Sequence, residues 1–281
     1  MNQRFTVEKT DMDVRALQKQ VRKQRLVADT AQLFGDEPPE KLLSPYLVAD
    51  PSAGNLHQIQ AKYTKRAGNI RRCWNRVQLY LPELMHHGEP QKIFEMSTAH
   101  AGMLEVLRYF GHEVEGNDYA NMVQAKDLSE ASTFRGVNDT GFRRDVDDYG
   151  IAANENGVFT SWPYKEITES INIPVKLFDA GHLPYPLEDK SQDYMLCFQA
   201  IDHYCHPDHW MEIVYEFCRV TRKSIVLLLN PIFPRYEKHE TYKASFERFL
   251  QDMRQFNEKS FVTTSCHIHW CQPLGFKLTA V

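Results

Sequence analysis

Two acidic residues bracket the most informative part of the sequence. The run Ile93-Phe94-Glu95-Met96-Ser97-Thr98-Ala99-His100-Ala101-Gly102-Met103-Leu104 passes from an apolar segment through small side chains into a second apolar segment, and Gly111-His112-Glu113-Val114-Glu115-Gly116-Asn117-Asp118 follows it. Where a strand turns into a helix through small residues, the backbone itself can approach a ligand. Asp118 trails Glu95 by about the 20 residues expected of an acid that reaches ribose hydroxyls from the next strand. Both acids then stand at the carboxyl edge of the sheet, where open α/β folds bind ligands. Farther along, Asp202 and His203 follow another apolar run, at the mouth of the same edge. Either can act as a general base, His being the commoner choice near neutral pH. The alternative for His203 is a loop anchor.

The elements that must position these residues follow from periodicity. Lys92 to Ser97, His112 to Asp118, Pro174 to Phe178, Tyr194 to Phe198 and Ser224 to Leu229 read as short buried strands. Helical segments Met103 to Phe110, Pro207 to Val220 and Tyr242 to Phe256 alternate with them, and Phe261 to Trp270 with Phe276 to Val281 reads as a closing pair of strands around Pro273 and Gly275. Such alternation predicts an α/β fold, a doubly wound, mostly parallel Rossmann-like sheet. Residues 1–90 read as a helical N-terminal extension, with helices over Asp13 to Leu33 and Leu56 to Met85; residues 91–281 read as the Rossmann-like domain. Residues 120–172 lose strand periodicity and read as an insertion after the second strand, covering the site together with the N-terminal helices.

The stretch from Glu95 to Asp118 resembles the class I S-adenosylmethionine-dependent methyltransferases. In that family an acidic residue ends the first strand, a loop with small residues at alternate positions leads into a helix, and a second acidic residue ends the second strand. Without a gap, Glu95 falls on the first acid, Ser97, Ala99 and Ala101 on the three loop glycines, and Asp118 on the second acid. All three glycines are replaced, and Gly102 stands one place late. A second region, Leu177-Phe178-Asp179-Ala180-Gly181-His182-Leu183-Pro184-Tyr185-Pro186 followed by Ser191-Gln192-Asp193 and the strand ending in Phe198-Gln199-Ala200, resembles the family's third- and fourth-strand signature. The resemblance implies S-adenosylmethionine as cofactor. It implies contacts from Glu95, Ser97, Ala99, Ala101, Asp118 and Tyr119, adenine recognition by Asp179 and Ala180, and Phe198 and Gln199 lining the site. The implied activity is in-line methyl transfer to a small-molecule or glycan-type acceptor, with His203 and Asp202 as candidate catalytic residues. The alternative is a methyltransferase-like binding module without catalysis, which the missing glycines favour. A nicotinamide-dependent oxidoreductase would carry a GxGxxG loop, which is absent.

Composition narrows the remaining classes. With 42% hydrophobic and 25% charged residues the chain has the make-up of a globular protein. A net charge of −4 argues against a dedicated nucleic-acid binder. The basic and aromatic stretch from Lys62 to Arg76 reads as a solvated helix face, a phosphate or nucleic-acid patch, or the source of an arginine for the methionyl carboxylate. No apolar run approaches the roughly 18–20 residues that span a bilayer. Scattered cysteines suit a reducing cytoplasm. The clusters Cys205-His206-Pro207-Asp208-His209 and Cys266-His267-Ile268-His269-Trp270-Cys271 lack the paired spacing of a zinc site, and no metal is expected. Oligomeric state stays open.

Overall fold

The apolar run Ile225-Val226-Leu227-Leu228 can be buried on both faces only within a sheet that helices cover on both sides. The computed structural model places it there; it describes residues 37–48, 61–118, 164–178, 180–232, 238–269 and 272–281. Among these, eight strands form one sheet: β1 (Lys92–Met96), β2 (Glu113–Asp118), β3 (Val175–Leu177), β4 (Gln192–Phe198), β5 (Thr221–Leu228), β6 (Asn257–Glu258), β7 (Phe261–His269) and β8 (Gln272–Ala280). Their order is β3-β2-β1-β4-β5-β8-β7-β6. The first five run parallel, β8 lies antiparallel against β5, and β7 and β6 continue antiparallel. The reversal of strand order beside β1 creates the crevice at which open α/β sheets bind ligands.

Alternation along the strands builds two cores. Ile93, Leu196, Val226 and Leu228 face α2 (Arg66–Tyr80) and α3 (Gly102–Tyr109), preceded by α1 (Glu40–Leu43). Phe94, Met96, Met195, Cys197, Ile225 and Leu227 face α5 (Trp210–Val220) and α6 (Glu240–Arg254), with α4 (Lys165–Ser170) leading into β3. On α5, Trp210, Ile213, Val214, Phe217 and Val220 recur at helical spacing and are all buried. Each such side chain contributes about 1.5–3 kcal/mol through burial.

Of the helix expected over Leu56 to Met85, Arg66–Tyr80 is α2, flanked by 3₁₀ turns at Ala61–Thr64 and Pro82–Leu84, and residues 56–60 lie outside the described residues. Of the expected insertion, Lys165–Ser170 is helical. Its residues 120–163, the expected helix Asp13 to Leu33, Tyr119 and Asp179 lie outside the described residues. The closing strands differ from expectation. Pro273 and Gly275 do not form the turn; they lie within β8, which starts at Gln272, and Ile268 pairs with Pro273 beside a register shift. Proline is tolerated there because it sits near the strand's first residue, at an irregularity where a ladder donor is dispensable.

Helix α2 is tied to α3 by an ion pair to a buried carboxylate. Arg66 at the start of α2 donates from Nε to Glu105 Oε2 on α3 at 3.3 Å and forms a second bond from Nη2 to Oε1. The Glu105 side chain is 1% exposed. Arg66→Leu leaves this carboxylate buried without its counter-charge, and is expected to destabilise the protein by about 3–5 kcal/mol. Chemical denaturation at neutral pH measures it; a loss no larger than that of a surface arginine would count against the pair as an anchor.

Candidate functional site

The loop between β1 and α3 is where backbone and chemistry meet. Ser97, Ala99 and Ala101 all take left-handed conformations, with φ of 52°, 47° and 55°. These are the three positions that the resemblance sets against the family's loop glycines, and here residues with a Cβ take a left-handed path. The loop leans on β2. Thr98 N–H donates to Asn117 O at 2.8 Å, and Ala99 N–H donates to Asp118 Oδ2 at 3.0 Å. Gly116 permits this approach, because a Cβ there would meet Thr98 Cβ at 2.9 Å. Gly102 is equally confined, between Cys73 Sγ at 2.8 Å and His100 Cε1 at 2.9 Å from a hypothetical Cβ.

Glu95, the residue before the last of β1, lies on the α2 side and is buried. Its Oε2 accepts from Thr98 Oγ1 at 2.6 Å. Burial pushes its pKa up to about 8; the Thr98 bond and the Arg76 charge pull it down, and the neighbouring Asp118 pushes it up. His100 is the converse case. Burial, helped by the charges of Arg72 and Arg76, lowers it to about 3, so the ring is neutral near pH 7 and its Nδ1 accepts from Gly102 N–H at 3.1 Å.

A second polar group forms where β4 and β5 end. Gln199 is left-handed, φ 59°, and its N–H donates to Leu228 O at 2.6 Å. Arg76 on α2 donates to Gln199 Oε1 at 2.8 Å, and Gln199 Nε2 donates to Asn230 Oδ1 at 3.0 Å. Asn230 Nδ2 in turn reaches Gln199 O at 3.0 Å and both Asp202 oxygens at 3.1 and 3.3 Å. His203 Nε2 lies 3.7 Å from Asp202 Oδ2, in the 3₁₀ turn Ile201–His203 after β4. Next to it, Tyr204 OH shares a hydrogen bond of 2.7 Å with Ser97 Oγ.

The structure therefore connects Glu95, Ser97, Ala99 and Asp118 around the β1 loop, and Gln199, Asp202 and His203 around the end of β4. Ala101 is fully buried at the start of α3 and presents its backbone to the turn. Phe198 sits on the α2 side, edge-on to Tyr80 at 5.6 Å between centroids. Ala180 is buried and its carbonyl accepts from Tyr185 OH at 2.8 Å. Its neighbour Asp179 and Tyr119 are outside the described residues. Asn117, which joins the end of β2 to the end of β3 through Nδ2 to Phe178 O at 2.8 Å, was not legible in the sequence, nor were Thr98 and Tyr204. The same is true of Asn230, just after β5. Their partners are remote in the chain, and only the adjacency of amide-bearing and acidic residues at strand ends could have suggested them.

In the second Cys/His cluster Cys266 and Ile268 are exposed and His267 turns edge-on to Tyr80 at 4.8 Å, while Trp270 and Cys271 lie outside the described residues. Among the described residues no group of three or more His, Cys, Asp or Glu could hold a metal ion.

The strand order gives the chain a Rossmann-like α/β fold, a mostly parallel sheet covered by helices on both faces. No family model matches the chain, and no curated protein matches it by sequence. Solved structures similar to it include magnesium protoporphyrin IX methyltransferase from Synechocystis PCC 6803 with bound SAM, at 11% identity over 98% of this chain and 100% of that one, TM-score 0.43. Geranyl diphosphate C-methyltransferase from Streptomyces coelicolor A3(2) is 11% identical over 98% of each chain, TM-score 0.39. The PH0226 protein from Pyrococcus horikoshii OT3 is 14% identical over 82% of this chain and 99% of that one, TM-score 0.43. At such identities none of them assigns a role to a residue of this chain.

Glu95 generates a pH test. Its folded-state pKa lies above the ordinary carboxylate value, so its contribution to stability is complete below about 4.5 and is lost as pH rises through about 8. Glu95→Gln removes this dependence and keeps an acceptor for Thr98. The variant is expected to gain on the parent by up to a few kcal/mol between pH 5 and pH 9. Urea unfolding across that range decides it, and a difference independent of pH would sink the assignment.

Proposed function

We propose that this chain binds S-adenosylmethionine and transfers its methyl group to a small-molecule or glycan-type acceptor. The observation that carries the reading is the loop from Ser97 to Ala101. Its three family-glycine positions are left-handed although none is glycine, and it rests against the acid that ends the second strand. A chance similarity of short sequence would not carry that backbone with it.

The donor set fits the cofactor. A carboxylate offers about four lone-pair sites, so Asp118 can hold the Ala99 amide and also receive ribose hydroxyls. Glu95 supplies a second carboxyl beside the loop, and the guanidinium of Arg76, at the ends of β1 and β4, suits the methionyl carboxylate. The resemblance assigns Asp179, Ala180 and Tyr119 to the adenosine, and Phe198 and Gln199 to the reacting end. Bound there, the cofactor supplies an electrophilic methyl on a sulfonium, and much of the acceleration comes from holding the acceptor atom in line with it. Asp202 and His203 stand where an acceptor enters. One of them takes the proton of a poorly ionised hydroxyl or a protonated amine, and Asn230 fixes the Asp202 carboxylate through two contacts. Helix α2, whose Arg76 reaches Gln199 at the end of β4, borders the acceptor side.

A cytoplasmic setting agrees with free buried thiols at Cys73, Cys197, Cys205 and Cys218. Among the described residues no helix is long and apolar enough to cross a membrane. The second reading, a binding module without catalysis, draws support from the cost of three left-handed non-glycine residues, and cofactor binding without transfer to any offered acceptor would favour it.

Calorimetric titration with S-adenosylhomocysteine is expected to give saturable binding. Asp118→Ala is expected to weaken it at least ten-fold while circular dichroism stays that of the parent, since each charge-assisted bond lost is worth roughly 1.5–3 kcal/mol. No heat and no thermal shift with the parent, for either S-adenosylmethionine or S-adenosylhomocysteine, would reject the reading.

A further inference from the structure

Ser97 differs from the other two left-handed loop residues because it carries a polar side chain, and that side chain is engaged. Its Oγ is 2.7 Å from Tyr204 OH. Tyr204 follows the turn that carries Asp202 and His203, and is 5% exposed. Its hydroxyl also lies 3.9 Å from Cys197 Sγ on β4. A residue with a Cβ resists positive φ, so the loop needs an external hold at this point that a glycine would not need.

We propose that Tyr204 is a positioning residue for the cofactor loop: its hydroxyl holds Ser97 in the left-handed conformation and takes over the task of the missing glycine. The proposal rests on the methyltransferase reading for its ligand, but not for the clamp itself. The Ser97–Tyr204 bond joins the two halves of the site. One end is the loop that runs from β1 into α3, and the other is the turn where the acceptor's base stands. Burial keeps the Tyr204 hydroxyl protonated, because it raises the pKa well above the ordinary phenol value. The hold therefore persists across the working pH range.

The clamp makes a prediction that general destabilisation does not. Tyr204→Phe keeps the ring and removes only the hydroxyl, so the parent should lose about three- to ten-fold in S-adenosylhomocysteine affinity, the worth of one neutral hydrogen bond. Ser97→Ala removes the other half of the same bond and keeps the strain, so it should weaken binding to a similar degree, and the double variant should be no worse than either. Ser97→Gly removes the same hydroxyl but also the strain of a Cβ at positive φ, so unlike Ser97→Ala it should keep the parent's affinity, and adding Tyr204→Phe to it should change nothing. An equal loss from Tyr204→Phe in the parent and in the Ser97→Gly background would overturn the proposal, as would no loss in the parent. If the parent binds neither S-adenosylmethionine nor S-adenosylhomocysteine, the functional reading fails. The clamp is then decided by hydrogen exchange without ligand. Faster exchange at the amides of Thr98 to Gly102 in Tyr204→Phe upholds it, and unchanged exchange overturns it.

Discussion

The chain must leave β1 and enter α3 within five residues while its backbone stays against β2, and it does so through three left-handed residues that all carry a Cβ. Each costs roughly 1–2 kcal/mol relative to a right-handed path. The surroundings offset that cost bond by bond. Ala99 N–H is held by Asp118, Thr98 N–H by Asn117 O, Ala101 N–H by Thr98 O, and the Ser97 hydroxyl by Tyr204. Glu95 adds the Thr98 hydroxyl from below. Because these partners come from β1, β2 and the turn after β4, the loop also fixes how three strand ends stand relative to one another.

Charge at this edge is balanced across layers. Glu95 and Asp118 come from the sheet, whereas Arg72 and Arg76 come from α2, a helix before the first strand. Burial opposes the charge on Glu95 more than Arg76 supports it, and the same arginines help to keep His100 neutral. Arg76 also begins the hydrogen-bonded series through Gln199 and Asn230 to Asp202. The N-terminal helix is thus part of the site's electrostatics, and its buried Arg66–Glu105 pair holds it at the height where Arg76 meets the strand ends.

Much of the fold was readable from local pattern. The buried runs at Ile93, Leu196 and Val226 marked the parallel strands, and the spacing of Trp210, Ile213, Val214 and Phe217 marked α5, because burial on one or two faces imposes its period on the sequence. Pro273 and Gly275 misled the eye into a turn, since both are turn formers; an irregular strand start accommodates them as well. Glu95 and Asp118 were legible as a pair because strand, loop and helix lengths are nearly constant in such units.

What the sequence determined alone was this succession of strands and helices, the acids at their ends and the small size of the loop residues, all set by interactions within a few tens of residues. It set Ser97, Ala99 and Ala101 against the family's loop glycines but did not specify that residues carrying a Cβ would turn left-handed. Intrinsic preference opposes that conformation, and at Ser97 and Ala99 bonds from remote residues help to hold it. The same holds for the links of Ser97 to Tyr204, Arg76 to Gln199 and Asn230 to Asp202. Each joins residues far apart in the chain, and parallel strand pairing brings them to one edge by placing every carboxyl end of β1, β2, β4 and β5 on the same side of the sheet. Tertiary structure decided the site because a hydrogen bond depends on separations of about 3 Å, which local sequence pattern does not specify.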